Sequence, residues 1–290
     1  MAQSKRTPQT SAKKRAPAKK RKASRQLPTV PISRILLYFG LLLFFMVSIG
    51  TLFYVIFFQV VVAAELREPE PLPKVVLIID DMGNNPEIGR ALLEMDLNLT
   101  FSFLPHSPYC KELELAAAQA GKTVMLHLPL EPRDPGKDAG MGAISVDDSP
   151  GRMAALFAED IEQVPHAVGV NNHMGSKFTE DSGAMAGLAH LLGSRQLFFI
   201  DSLTSPDSLA KTVMQSQGVP AASRDIFIDN DRSVQTICLR IEELMELAFR
   251  KGAAIGIGHP YPETLEALKR CGADPRSIEL VSAGTLAGVP

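Results

Sequence analysis

Two adjacent carboxylates, Asp80 and Asp81, end an apolar run over residues 75–79 and are followed by Met82 and Gly83. Farther along, the ends of other short apolar or alternating stretches carry His106, His127 with Glu131 just beyond, and the triplet Asn171-Asn172-His173. Asp201, the pair Arg224-Asp225, and His259 with Tyr261 close by continue the series. Carboxylate oxygens and imidazole nitrogens are ligands of Zn²⁺ or a similar divalent ion, and a catalytic site of that kind takes three protein ligands and keeps one position for water. Such an ion brings the pKa of its water near neutrality. A neighbouring carboxylate can then accept a proton, and a histidine opposite can protonate a leaving group. The residue types therefore point to metal-assisted hydrolysis. A Ser-His-Asp esterase fits less well, because the chain has no G-x-S-x-G elbow. Read alone, residues 80–83 also fit a solvated turn with glycine at positive φ. What favours chemistry is the company they keep: of the six histidines only His166 and His190 fall away from such stretch ends.

The elements that must position these groups alternate along the chain. Residues 75–79 are all apolar and mostly β-branched, as in a strand buried on both faces. Residues 99–104, 123–128, 166–174, 196–201, 252–258 and 278–282 read as further strands, and a short one falls within 220–227. Between them, residues 86–95, 111–120, 150–163, 180–192, 207–217, 233–251 and 262–270 show helical spacing with proline at starts and glycine at ends. Residues 133–148 form a long loop, and loops of that length are often functional. The pattern predicts an α/β fold, a parallel sheet with helices outside. No dinucleotide fingerprint or phosphate loop marks an open doubly wound sheet, so a closed or partly closed barrel is expected, with ligands at the carboxyl ends of its strands. Adjacent residues of a strand point to opposite faces, so Asp80 and Asp81 are expected to face different ways, one toward a metal and one toward substrate or a supporting partner. Glycine weakens a strand, so the GAAIGIG run over 252–258 predicts close packing in the barrel wall.

The net charge of −2 hides an asymmetry: residues 1–34 hold eleven Lys or Arg and no acid, leaving 19 basic against 32 acidic residues in the remainder. The first 34 residues read as a disordered basic arm. Residues 35–64 carry no charge, long enough for a single transmembrane anchor and longer than the core of a cleavable signal. Basic residues before it predict a cytoplasmic N-terminus and a C-terminal domain in the periplasm or outside the cell. The membrane lipid is thus one expected partner, and nucleic acid is not expected as another. Residues 65–73 read as a Pro-rich linker, 74–282 as the folded domain and 283–290 as a C-terminal tail. Cys110, Cys238 and Cys271 form no metal-binding pattern, and their odd number leaves at least one free. A disulfide between two of them is compatible with an oxidising compartment.

The ordered stretches IIDDMG, MLHLPLEP, NNHMGSKFT, FFIDSLTS, Arg224-Asp225 and IGIGHP resemble the divergent polysaccharide deacetylases, distant relatives of the chitooligosaccharide and peptidoglycan deacetylases. The resemblance implies a distorted β/α barrel and metal-dependent removal of N- or O-acetyl groups from a polysaccharide, with zinc as the expected ion. It implies Asp80 as catalytic base, Asp81 and His173 as metal ligands, His259 as the acid that protonates the leaving group, and Arg224 as the arginine that orients the catalytic acid. The better-known deacetylases take two ligands from a paired-histidine motif, and here Asn171 and Asn172 precede a single histidine. His127, on the neighbouring strand, is expected to replace the missing ligand. His106, Glu131, Asn172, Asp201 and Tyr261 are expected to bind substrate or support those groups. The departure from the paired motif leaves a second expectation open, a non-catalytic glycan-binding or scaffolding barrel. A phosphoesterase is a third, since it uses the same ligand types.

Overall fold

The computed structural model describes residues 29–65, 71–272 and 277–289. Two units are described separately, residues 1–70 and 71–290. In the first, α1 (Ile32–Glu65) is a continuous helix. Its stretch Ile32–Val61 is long and apolar enough to cross a membrane, about 45 Å at 1.5 Å per residue. Most of the expected basic arm and residues 66–70 of the expected linker lie outside the described residues.

The second unit is built on parallel strands: β1 (Lys74–Met82), β2 (Thr100–Phe103), β3 (Thr123–Leu130), β4 (Gly169–Met174), β5 (Phe198–Asp201), β6 (Ala221–Ser223), β7 (Ile226–Phe227), β8 (Ala253–Gly258) and β9 (Glu279–Leu280). Helices α2 (Pro86–Leu93), α3 (Cys110–Gln119), α4 (Pro150–Ile161), α5 (Ser182–Ser194), α6 (Ala210–Ser216), α7 (Val234–Lys251) and α8 (Pro262–Cys271) alternate with them, and α9 (Ala283–Ala287) follows β9. Several starts have a local cause. Side chains of Asn85, Ser149, Asp181 and Ser233 cap α2, α4, α5 and α7, and Pro86, Pro150 and Pro262 supply a pre-set φ in the first turn of α2, α4 and α8.

The strand order is β6-β5-β4-β3-β2-β1-β8-β7, so the sheet curls until its edge strands are neighbours in sequence. It is a distorted parallel β/α barrel. The single strand read over 220–227 divides because the main chain changes partner there: Arg224 N–H bonds the carbonyl of Asp201 at 2.9 Å, and Asp225 N–H bonds that of Ile255 at 2.8 Å. The last strand of the sequence reading is a short addition, pairing Lys74 and Val75 of β1 with Glu279 and Leu280.

Period-two alternation sorts each strand into two layers. Val75, Leu77 and Ile79 pack with helix residues such as Leu113, Phe157, Leu188 and Leu244. Val76, Ile78, Met125, Ile200, Ile255 and Ile257 fill the interior with Val281, Ala283 and Ala287 from the C-terminal segment. The interior columns of β1, β3 and β8 therefore continue upward to Asp80, His127 and His259. The glycines of β8 do mark a close approach. A Cβ on Gly256 would lie 2.5 Å from Leu244 Cδ2 on α7 and 3.1 Å from Leu77 Cδ2.

Cys238 of α7 and Cys271 of α8 form a disulfide, with Cys110 buried and free. Closing a loop of this size in the unfolded chain is worth roughly 2–4 kcal/mol. The double variant Cys238→Ser/Cys271→Ser is expected to lose about that much unfolding free energy, read from denaturant midpoints. An unchanged midpoint would show that α7 and α8 hold together without the bond.

Candidate metal and acid–base site

The β1 run ends in a bent main chain. Asp81 has φ 52°, in the left-handed region, which costs a non-glycine residue roughly 1–2 kcal/mol. The bend overturns the expectation that the two acids face apart. His127 lies 3.7 Å from Asp80 Oδ2 through Nδ1 and 3.3 Å from Asp81 Oδ1 through Nε2, so both carboxylates meet one imidazole. Gly83, at φ 114°, completes the turn, because a Cβ there would lie 1.9 Å from Ser107 Oγ. The DDMG stretch is thereby locked to the turn after β2, and Tyr109 N–H bonds the carbonyl of Gly83 at 2.9 Å.

Three ligand atoms converge above β1, β3 and β4. Asp81 Oδ1 is 3.1 Å from His173 Nδ1 and 3.3 Å from His127 Nε2, and the two ring nitrogens are 3.1 Å apart. Ligands bound near 2.0–2.1 Å in a tetrahedron stand about 3.3 Å from one another. The triangle of one aspartate and two histidines fits a divalent ion. Asp81 Oδ1 is also buried without an aligned hydrogen-bond donor, and one atom from each of the three residues is available as a ligand in this cluster.

Polar side chains beneath fix this arrangement. Asn171 Nδ2 donates to Asp80 Oδ1 at 2.7 Å and to Ser202 Oγ at 3.2 Å, which turns its carbonyl oxygen toward His127 Nδ1 at 2.8 Å and Ser102 Oγ at 2.5 Å. His127 therefore carries its Nδ1 proton toward Asn171 and presents Nε2 to the centre, the tautomer a metal ligand needs. Asp80 is 1 % exposed. Burial raises its pKa above the usual carboxylate value, and His127, His259 and Asn171 oppose that without cancelling it.

Proton and metal compete for His127. Burial pulls its pKa down, but the charges of Asp80 and Asp81 outweigh that and raise it to about 9. Below that pH the Nε2 proton must leave before a metal enters. Zinc affinity of the full-length chain is expected to rise about tenfold per pH unit between roughly pH 6.5 and 8.5, with about one proton released per ion. Competition titrations at several pH values measure this, and a flat profile would contradict it.

His259 stands opposite the triad's edge. Strands β1 and β8 pair through Ile79 and Gly258, which brings the next residues, Asp80 and His259, alongside one another. His259 Nδ1 meets Asp229 Oδ1 at 2.9 Å, its N–H donates to Asp229 Oδ2 at 2.5 Å, and Thr264 holds the same carboxylate at 2.8 Å. Burial works against the charged ring, but Asp229 outweighs it and raises the pKa, which suits a proton donor. The ring stacks on Phe227 at 6.0 Å and Tyr261 at 5.4 Å. Arg224 and Arg232 cover the aromatic rings of Phe227 and Tyr261 at 3.7 and 3.6 Å.

Not every strand-end residue reaches the centre. Tyr261 does, through its stack on His259. Arg224 donates to the carbonyls of Ser202 and Leu203 at 2.7 and 2.9 Å, lies over the Phe227 ring that stacks on His259, and interacts with the charge of Asp80 without a hydrogen bond to it among the described residues. Asp201 accepts from Leu203 N–H and Ser208 Oγ, both at 2.8 Å. Asn172 accepts from Ser202 N–H and donates to the Met174 carbonyl, and Glu131 binds Lys177 and the Val146 N–H. These last three tie loops to the barrel. His106 pairs with Asp160 at the rim. Asp229 and Asp160 were missed from sequence. Asp229 lies two residues beyond a strand too short to show alternation, and Asp160 looks like any acid on a helix.

A family model for divergent polysaccharide deacetylases matches residues 77–287. The uncharacterized protein YibQ of Escherichia coli is 31% identical over 226 residues, covering 78% of this chain and 70% of its own. An uncharacterized protein of Haemophilus influenzae is 32% identical over 220 residues, covering 73% of this chain and 76% of its own. The crystal structure of an uncharacterized Agrobacterium tumefaciens protein superposes with a TM-score of 0.70 at 21% identity, over 76% of this chain and 91% of that one, a likeness of fold.

Proposed function

The chain belongs to the divergent polysaccharide deacetylases, and from that premise we propose that it is a membrane-anchored, metal-dependent hydrolase that removes acetyl or related acyl groups from an envelope polysaccharide. The observation that carries the reading is the convergence of Asp81, His127 and His173, their ligand atoms within 4.8 Å of one another, beside Asp80 and the His259–Asp229 pair. Asp81, His127 and His173 would hold the ion, with zinc the best match to two imidazoles and one carboxylate. When bound, the ion supplies Lewis acidity toward the acyl carbonyl and a water of lowered pKa.

The chain's own groups handle the protons. Asp80, raised by burial and held by Asn171, accepts the proton of the attacking water. His259, charged and steadied by Asp229, delivers a proton to the departing amine or alcohol. Phe227 and Tyr261 keep the His259 ring in a fixed plane. The basic arm before α1 favours a cytoplasmic N-terminus, and the Cys238–Cys271 disulfide suits a domain on the oxidising side, the periplasm in a Gram-negative cell.

The test is acetate release from acetylated glycan oligomers by the detergent-solubilised full-length chain, before and after zinc loading. Zinc-dependent release is expected. Tight glycan binding without release, unchanged by metal removal, would instead identify a binding barrel.

A further inference from the structure

A cleft of about 300 Å³ opens beside the candidate ligand His173, lined also by Asn84, His106, Ser107, Asp138 and Met141. Its size is at the lower end for ligand pockets and far exceeds an acetyl group. One wall carries His106, which is paired behind the cleft with an acid the chemistry above does not use. His106 Nε2 meets Asp160 Oδ1 at 2.9 Å, and Asp160 is fully buried.

This pair does not behave like a structural clip. Glu114, which meets His166, also accepts that residue's N–H, and Asp229 holds a main-chain N–H and Thr264 as well as His259. Asp160 has His106 as its single side-chain partner among the described residues, and Asp160 Oδ2 has none. A buried carboxylate so poorly satisfied is costly; burial pushes it up to about 7 against the pull of His106. The surroundings accommodate it nonetheless. A Cβ on Gly142, in the loop after β3, would lie 2.1 Å from Asp160 Oδ1. His106 itself holds φ 60°, a strained conformation of the kind that clusters at functional sites. Asp160 thus fixes the ring by Nε2 and leaves Nδ1, which has no partner among the described residues, on a partly exposed imidazole.

We propose that this cleft seats the sugar ring next to the acylated one, with His106 hydrogen-bonding a hydroxyl of that ring and Asp160 acting as its positioning residue. The proposal rests on the hydrolase reading and extends it from a reacting group to an oligosaccharide. The cleft offers what a sugar needs: polar partners in Asn84, Ser107 and Asp138, and an apolar surface in Met141, 73 % exposed. The chain has no Trp to stack on sugars, so an apolar side chain at this position takes on that contact.

The experiment compares the zinc-loaded full-length chain with His106→Asn and Asp160→Asn. Asparagine tolerates the left-handed backbone at 106, so the fold is kept. The probes are a fully N-acetylated β-1,4-glucosamine tetramer, its monomer, and 4-nitrophenyl acetate. Both variants are expected to raise KM for the tetramer at least about tenfold while kcat stays within about twofold. The monomer and the nitrophenyl ester should react as in wild type, and zinc content should be unchanged. Equal losses on all three probes, or none on any, would overturn the proposal. If wild type releases no acetate from any glycan, the hydrolase reading fails. The cleft is then judged by tetramer binding in calorimetry: weakening by both variants supports it, and no binding, or equal binding by wild type and variants, overturns it.

Discussion

The full-length chain carrying His173→Ala is expected to retain no stoichiometric zinc after dialysis, where the unaltered chain keeps about one ion. His173 supplies one corner of a triangle whose edges are 3.1–3.3 Å, and nothing else on β4 can replace it. Asn171 is turned down toward Asp80, and Asn172 is tied to Ser202 and Met174. Losing a partner behind the ligands costs roughly 10–100-fold in metal affinity, so losing a ligand should cost more. The contrast is itself a check, since Asn171→Ala should weaken binding within that range and His173→Ala beyond it. Elemental analysis and a competing chelator give both numbers. Zinc held one-to-one by His173→Ala would remove the ion from this triangle.

Asp80→Asn separates chemistry from metal binding. Asp80 is outside the triangle, so zinc should stay. Its loss as a proton acceptor should lower kcat for glycan deacylation by about 10²–10⁴-fold, the usual worth of such a group. Because burial raises the Asp80 pKa, its ionised form is lost sooner as pH falls. An acid limb of the wild-type rate profile that reports Asp80 should therefore disappear in the variant's residual activity. A variant with wild-type rate would end the assignment of Asp80 as base.

Much of the barrel was legible because its strands are buried on both faces and its helices are amphipathic with marked starts, as at Ser149-Pro150 and Ser233. The sequence showed Asp80, His127 and His259 at strand ends, and the structure adds that they continue the interior columns of Ile78, Met125 and Ile257. Three things were not legible. The turn at Asp81 depends on its main-chain φ, which residue type does not reveal, and it brings together two acids expected to diverge. The partner of His259 depends on register between β7 and β8, far apart in sequence. The division of 220–227 depends on which carbonyls are nearby, Asp201 on one side and Ile255 on the other. Glu131, Asn172 and Asp201 look like site residues because loops at strand ends need polar clips as much as chemistry does.

The partner change at Arg224 and Asp225 has a mechanical consequence. The two margins of the sheet are joined by only two residues, Arg224 and Asp225, so the wall cannot part far there without breaking the chain. β6 and β7 are the edges of the sheet, and a protease cut between them would let the two edges move apart, each a template for another chain's strand. Arg224, the residue trypsin would need, is held by the Ser202 and Leu203 carbonyls and lies against Phe227. The same contacts that hold the rim of the site in place thus guard the hoop that keeps the fold from opening into a sheet prone to aggregate.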